Sequence, residues 1–258
     1  MNITAQHVDQ FVDDGLTLID DVFSDDEMSA ASTAFDHWYT HGEKTDGITQ
    51  YFDEPGLTDV LQHPHLEEAA KRMLGAEAVV LNSSALLFKR PEQTTDWTQL
   101  SQHVDIMFSH EEMQETPRRM LAMMMVFVDD LPAGRGNTFV RLGSHRVIAD
   151  WLRDNGEQPV KAQPTKFEDL PTELEFTKLT PVVAKRGQTA AFSTALVHCG
   201  STNIDTQSRK IMFVNFCALG MMKQTSGNHN LRDIRSTWRE RLNASFHPDR
   251  RHLLLDNE

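Results

Sequence analysis

The sequence predicts a mainly β protein with flanking helices, a sandwich or barrel in architecture. Two observations carry this prediction. Up to about residue 75 the apolar residues recur at helical spacing. From residue 78 they fall instead in short runs, at 78–81, 85–89, 120–128, 138–140, 179–184, 188–197 and 209–219, of strand length and bounded by turn signals. The clearest of these signals are Lys89-Arg90-Pro91, Leu131-Pro132-Ala133-Gly134 and Lys185-Arg186-Gly187. Many short strands after a helical start bury their apolar faces as two packed sheets or a closed barrel, with the helices outside.

Taken in order, Thr4 caps a first helix that carries Val8, Phe11 and Val12 on one side, and Gly15 supplies its stop. Residues 16–19 read as a strand. Ser24 and Glu27 form a Ser-x-x-Glu capping box. Behind it Met28, Ala31, Phe35 and Trp38 fall at helical spacing, giving a second helix one buried face. A third helix covers 66–74 and ends at Gly75. Residues 153–175 are polar and proline-containing, long for a plain connection, and read as a lid or a partly ordered loop. An arginine-rich helix is predicted over 231–242. No repeat, low-complexity tract or linker divides the chain, so residues 1–258 read as one domain.

Composition narrows the function classes. With 258 residues, 39% apolar and 24% charged, the chain can bury a substantial core. No apolar run approaches the roughly 18 residues of a membrane span, and the first residues lack the basic-then-apolar layout of a signal peptide. A cytoplasmic protein without a membrane partner is expected. The cysteines, Cys199 and Cys217, are too few for a disulfide framework or a four-cysteine zinc site. A net charge of −13 argues against nucleic acid as the main partner, because phosphate binding needs a basic face. A small molecule is the expected partner.

The chemistry is concentrated at a few positions. In Gln102-His103-Val104-Asp105, extended backbone puts His103 and Asp105 on one face, because side chains alternate along a strand. Taken alone, this pair is a weak signal. His198 closes the apolar run 188–197, and alone it reads as an ordinary core histidine. Arg209 opens the next run eleven residues later. The small-residue turn between them, Cys199-Gly200-Ser201-Thr202-Asn203, would let the two strands pair and aim both side chains into one cavity. Two imidazoles and a carboxylate occupy one face of an octahedral ferrous ion and leave three positions open. A 2-oxo acid fills two of these and dioxygen the third. Arginine makes the bidentate ion pair that the distal carboxylate of 2-oxoglutarate requires.

His103-Val104-Asp105, then Gly143-Ser144-His145-Arg146, then His198 with Arg209 eleven residues on, together resemble the phytanoyl-CoA dioxygenase family. The opening, Phe11-Val12-Asp13-Asp14-Gly15 leading to Asp20-Asp21-Val22-Phe23-Ser24, extends the resemblance over about 5–220. The resemblance implies a double-stranded β-helix, the jelly-roll or cupin-like core. It also implies an Fe(II)- and 2-oxoglutarate-dependent dioxygenase that uses O2, hydroxylates a small molecule and releases succinate and CO2. His103, Asp105 and His198 would be the metal ligands and catalytic centre. Arg209 would hold the co-substrate, with Lys89, Ser201 and Asn203 as further cofactor-binding positions. Related halogenases carry a small residue in place of the carboxylate, so Asp105 implies hydroxylation or a related oxidation.

Some positions depart from the family pattern. Leu142 stands where proline is common, Arg141 is unusual, and Cys199-Gly200 replaces Gly-Ser after the histidine, with Ser201 one place later. His145 reads as structural, Cys199 as packing, and the run Met120-Leu121-Ala122-Met123-Met124-Met125-Val126 as a core strand, with one thioether available to line the substrate pocket. Two alternatives stay open: a metal-dependent cupin-type hydrolase or isomerase, and a non-catalytic jelly-roll ligand-binding protein.

Overall fold

The computed structural model describes residues 1–41, 47–119, 122–155, 165–221 and 229–255. The first helix, α1 (Ala5–Asp14), stops at Gly15, whose φ of 77° is left-handed. A Cβ at Gly15 would come within 2.7 Å of Leu196, so both backbone conformation and close approach require glycine there. Strand β1 (Leu16–Ile19) follows directly. In front of α2 (Asp25–His41), the Ser24 amide and hydroxyl both donate to Glu27, at 2.8 and 2.7 Å, which is the expected capping box. After β2 (Gly47–Gln50) come the short α3 (Thr58–Leu61) and α4 (Pro64–Leu74).

The β region comprises β3 (Val79–Lys89), β4 (His103–Val104), β5 (Ala122–Phe127), β6 (Phe139–Val140), β7 (Thr165–Lys166), β8 (Thr180–Pro181), β9 (Thr189–Ser193), β10 (His198–Cys199) and β11 (Arg209–Ala218). Helices α5 (His110–Gln114), α6 (Ser144–Asn155) and α7 (His229–Ser245) interrupt or follow it. A major sheet runs β1-β9-β5-β11-β3-β2, and a minor sheet runs β7-β4-β10-β6-β8, with antiparallel pairing throughout. The result is the expected double-stranded β-helix with flanking helices.

Strand alternation separates two cores. Met124, Val126, Met212 and Val214 face outward, onto Phe11, Phe35, Met73 and Trp238 from the flanking helices. Met123, Met125, Phe192 and Ile211 face the space between the sheets. The methionine stretch is therefore core on one face and interior lining on the other.

Several expectations need correction. The runs 78–81 and 85–89 are one strand, β3, because the polar Ser83-Ser84 between them stays in the ladder and Asn82 is taken up as a bulge. Residues 188–197 are not one strand: β9 ends at Ser193, and a turn carries the chain across to the minor sheet before His198. The strands carrying His198 and Arg209 therefore do not pair. β10 pairs with β4 and β6, while β11 pairs with β3 and β5, so the two side chains meet across the interior. Only Thr180–Pro181 of 179–184 is a strand. Helix α6 has no counterpart in the expectation: it begins at Ser144 within the Gly143-Ser144-His145-Arg146 motif and buries Ile148, Ala149 and Leu152 at helical spacing. The lid expectation over 153–175 falls in part outside the described residues. Its described end, Thr165–Lys166, pairs with β4 beside His103.

The C-terminal 3-10 segment, Pro248–Leu254, is tied to α4 through Glu67. That carboxylate is 6% exposed and meets Lys71 (2.6 Å), Arg250 (2.6 Å) and His252 (3.0 Å). Burial alone would push Glu67 up, but these three partners outweigh it and hold the carboxyl below its usual range. A carboxylate depressed in the folded state adds stability above its unfolded pKa, and that stability is lost as pH falls through the folded value. Glu67→Gln is therefore expected to cost about 2 kcal/mol at neutral pH. Urea unfolding at pH 7 and again in acid checks this, and the gap between wild type and variant should narrow in acid.

Candidate active site

His103 and His198 are directly opposite each other in the β4–β10 ladder, with ring centroids 4.3 Å apart. Each ring is oriented by a backbone carbonyl. Nδ1 of His198 lies 2.9 Å from Leu196 O, and Nδ1 of His103 lies 3.4 Å from Ser101 O. A donating Nδ1–H fixes the tautomer and leaves each Nε2 as an electron-pair donor. Both Nε2 atoms face one carboxylate: His103 is 3.5 Å from Asp105 Oδ1, and His198 is 3.7 Å from Asp105 Oδ2. The ligand atoms of the three residues all lie within 4.8 Å of one another, the only such group among the described residues.

The electrostatics suit a cation. Burial raises Asp105, but His198 and His103 outweigh that effect and keep its carboxyl below the ordinary value. The Asp105 carboxylate raises His103, and burial lowers His198.

Arg209 lies across the interior, at the start of β11, and is 2% exposed. Its Nη1 donates to Gly136 O and its Nη2 to Thr138 Oγ1 (2.7 Å), while the buried Nε has no partner. No carboxylate among the described residues is paired with it, and burial lowers its pKa to about 9. A buried guanidinium with an orphaned donor is costly unless an anion meets it. The orphaned Nε donor fits an anion, and the distal carboxylate of a 2-oxo diacid is of that kind. Thr138 lines the same cavity. Sequence reasoning missed Gly136 and Thr138 as Arg209 partners, since nothing in their local pattern points across the barrel to residue 209.

The remaining sequence-derived positions differ from one another. Lys89 is opposite Arg209 in the β3–β11 register and lines the cavity, with its ammonium 2.8 Å from Glu92. Ser201 lines the cavity, but its hydroxyl accepts from Trp97 Nε1 (3.0 Å) and donates to Asn137 O (2.9 Å). Asn203 does not line the cavity. Its amide donates to Lys89 O and Gln207 O, and its Oδ1 accepts from the Asp205 backbone. Asn203 therefore braces the loop before Arg209. Cys199 is fully buried, as expected of packing.

The Gly143-Ser144-His145-Arg146 motif is a clamp. The Gly143 amide donates to Asp14 O, His145 Nε2 contacts Val12 O (3.0 Å), and Arg146 pairs with Asp13 (2.6 Å), which docks α6 onto the end of α1. The Ser144 hydroxyl accepts from the backbone N–H of Val197, next to the triad histidine, at 2.9 Å. Ser144→Ala leaves that buried N–H unpaired, which is expected to cost about 1–3 kcal/mol and to weaken metal retention. Thermal unfolding and metal titration of the variant check both effects.

The cavity these residues line has a volume of about 960 Å³. Fold and site together define a class: a double-stranded β-helix with two histidines and one carboxylate converging beside a buried arginine. The chain matches the phytanoyl-CoA dioxygenase (PhyH) family model over residues 11–211 and belongs to that family. It is 24% identical over 238 residues to the ectoine dioxygenase of Bordetella parapertussis, covering 82% of this chain and 74% of that one. Among solved structures, the α-ketoglutarate-dependent carbocyclase SnoK superposes with a TM-score of 0.66 at 16% identity, over 90% of this chain and 91% of that one. EctD from S. alaskensis, with 2-oxoglutarate and 5-hydroxyectoine, gives 0.61 at 19% identity, over 84% and 77%. These structural likenesses concern the fold. No helix among the described residues is long and apolar enough to cross a membrane.

Proposed function

We propose that this chain is a non-haem Fe(II)- and 2-oxoglutarate-dependent dioxygenase that hydroxylates a small molecule, acting as one domain. The observation that carries this reading is the pairing of a convergent His103–Asp105–His198 cluster with a buried, anion-deficient Arg209 in one cavity. His103, Asp105 and His198 would hold the iron, and Arg209, aided by Thr138, would hold the distal carboxylate of 2-oxoglutarate.

When bound, ferrous iron with 2-oxoglutarate and dioxygen supplies the oxidation: a substrate C–H becomes C–OH, while 2-oxoglutarate loses CO2 to give succinate. The chain's own residues orient and exclude. The carbonyls of Leu196 and Ser101 keep both imidazoles in the ligating tautomer. Phe192 packs edge-on against His198, with centroids 5.1 Å apart, and shields it from water. Met123, Met125 and Phe213 give the substrate space an apolar wall. A metal-dependent hydrolase has no use for a buried arginine lacking a counter-ion among the described residues, and Arg209 therefore favours the oxygenase. The test is succinate release over a metabolite library with Fe(II) and 2-oxoglutarate. Succinate formation that depends on both, and that a library member stimulates, is the expected result. Its absence across the library, with iron retained, would overturn the proposal.

A further inference from the structure

Buried polar atoms in a folded chain are nearly always hydrogen-bonded, and each exception needs a reason. Among the described residues that line the cavity, three carry a buried side-chain polar atom without a hydrogen-bond partner: Arg209 at Nε, Thr194 at Oγ1 and Asn215 at Oδ1. The distal carboxylate of the co-substrate answers the first. It does not reach Asn215. Six residues of strand separate Arg209 from Asn215, about 20 Å at ~3.4 Å per residue, and a five-carbon diacid is far shorter than that.

Strand register shows where the other two atoms lie. Asn215 is opposite Met123, and Met123 is opposite Phe192, so the three form one row across β11, β5 and β9. Neighbouring strands are about 4.8 Å apart, which puts the Asn215 backbone about 10 Å from that of Phe192. Phe192 is the ring that packs edge-on against His198. Asn215 Nδ2 donates to Ser83 Oγ on β3, on the side away from β5, at 2.8 Å. That bond leaves Oδ1 uncommitted. Thr194 follows Phe192 by two residues and is 2% exposed. Its carbonyl accepts from the amide of Ile106, the residue after Asp105, at 3.2 Å, which holds Thr194 beside the triad. The two uncommitted atoms therefore flank an apolar floor of Met123 and Phe192 next to His198.

We infer that Thr194 and Asn215 are the substrate-recognition residues of this cavity, and that the substrate carries two hydroxyl or N–H-bearing groups separated by an apolar stretch. The inference rests on the oxygenase reading of the triad. One group donates to Asn215 Oδ1, which can only accept. The other exchanges a hydrogen bond with the Thr194 hydroxyl, which can donate or accept. The apolar stretch lies over Met123 and Phe192, and its C–H bonds come beside His198. A molecule lacking either group leaves a buried polar atom unpaired in the complex, and sites built to hydrogen-bond a substrate discriminate strongly on that ground.

The test is calorimetric titration of the full chain with α,ω-alkanediols from butanediol to octanediol, each against the alkanol in which a methyl group replaces one hydroxyl. At least one diol is expected to bind about tenfold or more tighter than its alkanol, although the alkanol is the more hydrophobic of the two. Thr194→Val and Asn215→Leu should each abolish that preference. Thr194→Val exchanges an unpaired buried hydroxyl for a methyl group of the same shape, so its unfolding temperature should equal or exceed that of wild type. A fall would show the hydroxyl to be structural and overturn its role. The wild-type preference tests the idea even if a variant does not fold. Alkanols that bind as well as every diol, or a diol preference unchanged in both folded variants, overturn the assignment. Diol preference with no iron-dependent succinate formed across the metabolite library sinks the oxygenase reading and leaves the subsite standing. Succinate formation without diol preference does the reverse.

Discussion

Asp105→Ala abolishes iron-dependent succinate formation, on the expectation that its carboxylate is the sole anionic ligand among the three converging side chains. Losing a hydrogen-bond partner of a metal ligand typically costs about 10–100-fold in metal affinity, and losing the ligand itself should exceed that. The loss is expected to be chemical rather than structural. Asp105 keeps 32% of its side chain exposed, so the two imidazole pairings that outweigh its desolvation are screened by solvent and contribute little to the fold. The metal-free variant should unfold within about 1 kcal/mol of wild type. It should also lose the carboxylate that raises His103, bringing that imidazole down in an NMR titration. Metal content, succinate yield and unfolding temperature together check the expectation. Full turnover by an iron-loaded Asp105→Ala enzyme would sink the assignment.

Arg209→Met separates the cost of a buried charge from its use. Without co-substrate the guanidinium has no anionic partner among the described residues and its Nε is unsatisfied. Replacing a buried charge with an apolar side chain of similar volume is often neutral or stabilising, so the free protein should be at least as stable as wild type. Co-substrate binding should suffer severely. Truncating one partner of a buried, hydrogen-bonded charge pair costs about 2–5 kcal/mol, or roughly 30-fold and upward in Kd. The thermal shift caused by 2-oxoglutarate should disappear while metal binding persists. The variant should also lose its preference for 2-oxoglutarate over pyruvate, which lacks the distal carboxylate. A variant that still prefers the diacid would show that another cation holds it.

Much of this site was legible in the sequence because its signals are local. An i, i+2 pair such as His103 and Asp105 shares a face on any extended backbone, and Ser24 with Glu27 caps a helix wherever it starts. Residues that work across the barrel gave no such signal. Thr138 meets Arg209 and Ser144 meets Val197 over long sequence separations, and neither contact leaves a periodicity. Asn203 likewise gave no local sign of its hydrogen bond to the Lys89 carbonyl, 114 residues away.

The sequence by itself determined the class of elements, the mainly β fold and the identities of the converging side chains, because periodicity, capping and motif spacing are properties of neighbours along the chain. Tertiary structure decided how the sheets share those residues. It moved His198 to the minor sheet, set Arg209 opposite it on the major sheet and placed a bulge at Asn82. These are long-range pairings, fixed by which apolar faces bury against each other, and no local window of sequence contains them.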